Sequence, residues 1–169
     1  MTSRRRFIAS CSSAALLGAC ARQPAPTVND ISQLEPTQVA GVVPIRHTAA
    51  VSPTLDRPAG TVCVAGARFS MGGQTSAAQA VQLDMSTFNR LLFLDVPGKV
   101  VRVQAGMRWR ALQEQLDPHG LAVKVMQSFS NFSVGGSVSV NCHGRYVGSG
   151  SIAGSVRALQ MVLRTGEVL

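Results

Sequence analysis

Two glycine-bearing stretches carry the residue types best suited to chemistry. The first, VAGARFSMGGQT over residues 64–75, follows the apolar run TVCVA and holds three glycines, an arginine and a serine hydroxyl. Glycines let a backbone turn tightly and approach a ligand closely. Successive backbone N–H groups in such a turn form a concave nest that suits phosphate oxygens, and Ser70 adds a hydroxyl donor. The second stretch, SFSNFSVGGSVSVNCHGR over 128–145, combines hydroxyls, Gly135-Gly136 and His143-Gly144. Ser133 is placed to cap a helix whose N–H groups would face a second phosphate or a polar ring edge. One glycine loop alone is most simply a tight turn after a strand. Two, separated by a hairpin and a helix, point to one extended ligand carrying a pyrophosphate and a ring. Neither stretch has the spacing of a P-loop or of a Rossmann dinucleotide fingerprint.

Other chemistries find little support. His47 and His119 have no serine or carboxylate partner at a recognisable spacing, so a hydrolytic triad is not indicated. His119 sits in a DPHG turn and reads as a surface or capping residue, while His47 precedes a proline-broken segment. Asp84 and Asp95 end strands and are expected to serve turns rather than acid–base catalysis. There is no CxxC and no His/Cys cluster for a metal. Cys63, alternating within an apolar strand, reads as a small buried hydrophobe.

These stretches need elements to hold them. Strands are expected over 39–45 and 61–65, the latter from β-branched and small residues. Pro53 and Pro58 keep any helix in 48–58 short. Strands over 80–85 and 91–96 flank a turn at 86–89. Pro97 and Gly98, second and third in VPGK, predict a type II turn into a hairpin partner over 100–105. Trp109, Leu112 and Leu116 recur at helical spacing, predicting a helix over 108–116 with that stripe as its core face, ended by DPHG. A further strand is expected over 122–126, a helix opening within 133–140, and strands over 156–164 and 167–169 about Thr165-Gly166. The chain stops on Val168-Leu169 in an apolar strand, which leaves a half-formed sheet edge; the expectation is that a partner chain completes it or that a longer protein continues it. The fold class is α+β with two small subdomains, the first over about 37–94 and the second from Asp95 onward and incomplete, with the pyrophosphate between them.

The chain has 169 residues, 46% hydrophobic and 14% charged, enough for one ordinary domain. Residues 1–19 read as an export signal: Arg4, Arg5 and Arg6 precede Phe7-Ile8 in a twin-arginine pattern, followed by a short apolar run too short to span a bilayer. LGAC at 17–20 resembles the lipobox of bacterial lipoproteins, which implies lipidation at Cys20 and a cell-envelope location with the membrane touched through the anchor alone. Residues 20–36, polar and proline-bearing, are expected to tether anchor to domain. Losing Arg4, Arg5 and Arg6 with the signal takes the net charge from +8 to +5. The remaining basic residues are scattered singly without interleaved aromatics, which argues against nucleic-acid binding.

From about residue 37 to 169 the chain resembles the FAD-binding domain of the vanillyl-alcohol oxidase and p-cresol methylhydroxylase superfamily (PCMH-type). Within it, it looks most like the sugar-lactone and alditol oxidases and the decaprenylphosphoryl-ribose oxidase branch. The matching motifs, in order, are TVCVAGARFSMGG, LDMSTFNRLLFLD, VVRVQAGMRWRALQEQLDPHGLAV, FSVGGSVSVNCHGR and VRALQMVLRTGEVL. The resemblance implies that Val64, Ala65, Gly66, Ala67, Arg68, Phe69, Ser70 and Met71 form the pyrophosphate loop. It implies that Ser128, Ser133, Gly135 and Gly136 line the cofactor around pyrophosphate and ribityl chain. Val140, Asn141, Cys142 and His143 would then lie towards the isoalloxazine, and Arg145 near the ring or near substrate. Many relatives attach flavin covalently through a histidine of the first loop. Phe69 stands at the matching position here, so non-covalent FAD is expected. His143 would hydrogen-bond within the site or pack beside Gly144, and Cys142 would be a packing residue rather than a flavin thioether.

The activity the resemblance implies is oxidation of an alcohol carbon of a sugar, lactone or polyol-like small molecule by hydride transfer to flavin N5. The catalytic base would belong to a C-terminal substrate domain, so the expectation is that this chain alone is inactive. The alternative is a non-catalytic remnant or flavin-binding module that pairs with a separate C-terminal half.

Overall fold

The computed structural model describes residues 24–56 and 60–169. The expected signal peptide, the Cys20 anchor and the start of the expected tether lie outside the described residues. Among the described residues no helix is long and apolar enough to cross a membrane.

A short antiparallel pair opens the chain: β1 (Thr27–Val28) and β2 (Thr37–Gln38), with Thr27 opposite Gln38. Val28 is buried, and the Val39 amide donates to the Pro26 carbonyl. The described part of the expected tether is therefore packed structure. Its polar composition hid this, because Asn29, Asp30 and Ser32 use their side chains to satisfy the backbone of one tight turn.

A parallel three-stranded sheet follows, in the order β3 (Gly41–Pro44), β5 (Val81–Asp84), β4 (Val62–Ala65). Val42 and Cys63 both register on Gln82, and Val43 and Val64 on Leu83. The short helix α1 (Ser52–Leu55), with Pro53 in its first turn, lies between β3 and β4. Val39, Ile45, Ala65, Ala80 and Leu83 are buried and form the core on this side. With all three strands parallel, their C-terminal ends share one edge, where open α/β sheets place ligands.

Strands β6 (Leu91–Asp95) and β7 (Val100–Val103) form an antiparallel hairpin. Its turn departs from expectation. Type II geometry needs a positive φ at Gly98; the positive φ lies instead at Lys99 (52°). Asp95 accepts the Gly98 amide at 2.9 Å and stabilises that alternative. Helix α2 (Trp109–Leu116) buries Trp109, Leu112 and Leu116, as the spacing predicts. They join Met107, Val125, Cys142 and Ile152 in a second core, against which Leu91, Leu94, Val101 and Val103 pack. The whole hairpin thus belongs with this core, and a division at residues 94/95 would cut through it. Helix α3 (Val134–Ser139) follows.

The expected strand at 122–126 is absent. The segment does alternate, with Val123 and Val125 inward and Ala122 and Lys124 outward. Its partner, however, is a side chain: Gln113 accepts the Val123 amide at 3.1 Å and donates to the Leu121 carbonyl at 3.1 Å. The segments 156–164 and 167–169 form no full strands but do pair briefly about the expected turn. Val162 bridges Val168, and Met161 and Leu169 exchange amide bonds at 3.0 and 2.9 Å. The Leu163 amide donates to the Glu167 carbonyl at 2.8 Å, and Gly166 turns the chain at φ 85°.

Candidate functional site

The first glycine loop leaves the C-terminal end of β4, as its sequence position requires. Among the described residues the backbone amides of 66–71 donate to no acceptor, and neither does the Ser70 hydroxyl. The loop is nevertheless held. Arg68, at φ 60°, gives its carbonyl to the Ile31 amide at 2.9 Å. Its guanidinium lies 3.5 Å from the Asp84 carboxylate at the end of β5. Asp84 also accepts the Ser86 amide, so it performs the turn role expected of it and adds an ion pair to the loop. Further on, the Gly72 and Gly73 amides both donate to Asp30, at 2.9 and 3.2 Å. The Ser32 hydroxyl, with the amides of Gly73, Ser32 and Gly72, holds the Asp30 carboxyl below the usual carboxylate range, against opposing desolvation. At the loop's far end the Gln82 amide donates to the Thr75 carbonyl at 2.9 Å.

The second stretch lines an open cleft of about 550 Å³, formed by Gln127, Ser128, Phe132 and residues 140–145. Ser128, Val140, Asn141, Cys142, His143 and Arg145 therefore line one cleft, of which Ser133, Gly135 and Gly136 are not part. Asn141 takes a positive φ of 45°, and its side chain accepts the Ala153 amide at 3.3 Å. His143 is exposed, with Nδ1 3.1 Å from the Gly144 carbonyl. Cys142 is buried in the core; burial pushes its thiol up, partly offset by Ser137, so it is protonated at neutral pH. That environment suits the packing role expected of it.

The helix N-terminus behaves differently from expectation. Ser133 does precede α3 with extended backbone, but its side chain makes no cap bond. The Val134 and Gly135 amides donate to the carbonyls of Met107 and Ala105, both at 2.8 Å. These amides anchor α3 to the segment before α2 and do not face a second phosphate. Ser133 is buried and lies against Gly66: a Cβ built there would collide with its Oγ.

Two contacts therefore join the loops. One is Gly66 against Ser133. The other is an aromatic triad, in which Phe69 meets Phe129 and Phe132 edge-on at 5.2 Å each and those two meet at 5.5 Å. Such pairs contribute about 0.5–1.5 kcal/mol each beyond the area they bury. Phe69 thus has a packing role, and its phenyl ring offers no nitrogen for covalent attachment.

Sequence reasoning missed Asp30, Gln82, Gln127 and Ser137. The buried Ser137 hydroxyl accepts Trp109 Nε1 at 2.8 Å and donates to Gln127, tying the second core to the cleft wall. The run NDIS is a recognisable Asx-turn signal; that its carboxylate also reaches Gly72 and Gly73, more than forty residues away, has no local signature. Among the described residues no group of three or more His, Cys, Asp or Glu is placed to hold a metal.

A loop whose amides find no acceptor among the described residues, at the C-terminal edge of a parallel sheet and beside a cleft, suits a nucleotide cofactor. Residues 39–169 match the FAD binding domain family, and the chain belongs to that family. It is similar to the decaprenylphosphoryl-β-D-ribose oxidase of Mycolicibacterium smegmatis, 30% identical over 108 residues, which cover 63% of this chain and 24% of that one. Mouse L-gulonolactone oxidase is 36% identical over 87 residues, 52% of this chain and 20% of the relative. A Streptomyces alditol oxidase is 37% identical over 74 residues, 44% and 18% respectively. The chain spans about a fifth of the length of the curated relatives it matches. Its donor set fits the cofactor: the amides at 66–71 and the Ser70 hydroxyl have no acceptor among the described residues.

Proposed function

We propose that this chain is the flavin-binding part of an FAD-dependent oxidoreductase acting on an alcohol carbon of a sugar, lactone or polyol. The observation that carries the reading is the run of six consecutive loop amides, 66–71, at the end of β4, without an acceptor among the described residues. Those amides and Ser70 would hold the pyrophosphate, and the cleft from Gln127 to Arg145 would take the more distal part of the cofactor. Bound FAD would supply the two-electron acceptor that the reaction needs. The protein's own part would be to orient that group, with the Phe69 triad holding the two loops together, and to present Asn141, His143 and Arg145 at the cleft. The substrate class rests on the names of three relatives, a decaprenylphosphoryl-ribose oxidase, an L-gulonolactone oxidase and an alditol oxidase. Substrate selection and the proton-accepting base are assigned to a separate C-terminal domain. Export by the twin-arginine route and lipidation at Cys20 would place the protein in the cell envelope.

FAD is held non-covalently in this reading, because Phe69 offers no attachment atom. The test is the visible spectrum of the protein extracted from its own host, repeated on the supernatant after acid precipitation. A flavin band that moves wholly into the supernatant is the expected result. Flavin left on the pellet overturns the non-covalent assignment, and absence of any band overturns the cofactor reading.

A further inference from the structure

We propose that Asp30 is the positioning residue of the cofactor loop, holding residues 66–71 in the shape that presents their amides to an anion. The role rests on the flavin reading above. Asp30 lies upstream of the residues that match the family, in the turn between β1 and β2, so nothing in that match assigns it a task. Yet it is only 3% exposed, and both carboxylate oxygens are engaged. Oδ1 accepts the Ser32 amide at 2.8 Å and the Ser32 hydroxyl. Oδ2 reaches across to Gly72 and Gly73. The next residue, Ile31, donates its amide to the Arg68 carbonyl. One turn of the β1–β2 hairpin thus grips the loop on both sides of Phe69, Ser70 and Met71.

Gly72 and Gly73 have φ values of 99° and 75°, which few side chains tolerate and which glycine reaches without preference. Something has to select that conformation. A charged acceptor for two successive amides does so, since hydrogen bonds to an ionised group are about twice as strong as neutral ones. An anion site works best when its donors are fixed before the ligand arrives, because ordering them on binding costs affinity.

Electrostatics gives the role a diagnostic sign. Asp30 is a negative charge on a loop meant for an anion, so if charge alone mattered, its removal would tighten FAD binding. If positioning matters, removal weakens binding. The experiment measures FAD affinity by flavin fluorescence on whole protein stripped of flavin, for wild type, Asp30→Asn and Asp30→Ala. Hydrogen exchange is followed in the same samples without FAD. We expect Asp30→Ala to raise the Kd for FAD on the order of tenfold, with Asp30→Asn between it and wild type. Exchange should quicken at Gly72, Gly73 and Ile31, whose amides the turn protects, and stay unchanged over α2. Equal or tighter FAD binding in the variants overturns the proposal. So does faster exchange spread evenly over loop and core, which marks a merely structural residue. If the wild type takes up no FAD, the flavin reading itself fails and the role falls with it, whatever the exchange pattern.

Discussion

Replacing Gly106 by alanine is expected to destabilise the protein by about 3 kcal/mol, a large effect for one methyl group. Gly106 is buried, and its amide donates to the Phe88 carbonyl at 2.8 Å. A Cβ there would lie 2.7 Å from the Phe88 oxygen and closer still to the Met85 oxygen. Both atoms are backbone, so no rotamer change relieves the contact. The segment 105–107 would have to withdraw from the turn at 85–88. That withdrawal would loosen Met107 in the second core and strain the bonds from Val134 and Gly135 to the carbonyls of Met107 and Ala105. The φ of Gly106 is not positive, so alanine is allowed there on dihedral grounds. In an open position the same change would stabilise by about 0.4–1 kcal/mol through the unfolded chain. The two effects have opposite signs, and urea midpoints separate them. An unchanged or higher midpoint for Gly106→Ala would show that the two backbones do not meet this closely.

Trp109→Ala carries the other large effect, an expected loss of about 3–5 kcal/mol. Trp109 is 4% exposed and packs among Met107, Leu112, Leu116, Val125, Cys142 and Ile152. The substitution removes the indole from that core and the Nε1 bond to Ser137. Ser137 then keeps Gln127 and Cys142 but loses its bond to the indole, so α3 loses that tie to α2. Trp109→Phe should cost much less, because most of the apolar volume remains and one hydrogen bond contributes about 1 kcal/mol. Thermal melts by circular dichroism decide the matter. Equal melting losses for the two variants would mean that the hydrogen bond, not the packing, dominates.

What could be read in the sequence was whatever depends on short-range pattern. The strands expected at 39–45, 61–65, 80–85, 91–96 and 100–105 correspond to β3, β4, β5, β6 and β7, the Trp109 spacing located α2, and Ser133 marked the start of α3. Partnerships were less legible. The alternation over 121–125 reports that one face is buried, but it cannot tell a neighbouring strand from the Gln113 side chain that stands in for one. A polar stretch such as 29–36 reads as linker, since nothing local shows that its carboxylate satisfies a loop far along the chain. The site followed the same division. The two glycine stretches and the cleft residues were visible as residue types. The diversion of the Val134 and Gly135 amides to Met107 and Ala105 was not, because it depends on where α3 docks.

The parallel order β3-β5-β4 also bears on how the chain acquires its shape. Each pairing in that sheet joins residues far apart in sequence: Val43 with Leu83, and Val64 with Leu83. The β6–β7 hairpin and α2 are built from neighbours. Non-local pairings fold more slowly, because chain entropy is lost before contacts compensate. The hairpin and helix should therefore protect their amides first, and β5 should close the sheet late. The glycine loop that leaves β4 would be ordered only in the final step. Pulse-labelling hydrogen exchange during refolding would show this as late protection of β5, and simultaneous protection of β5 and β7 would refute it.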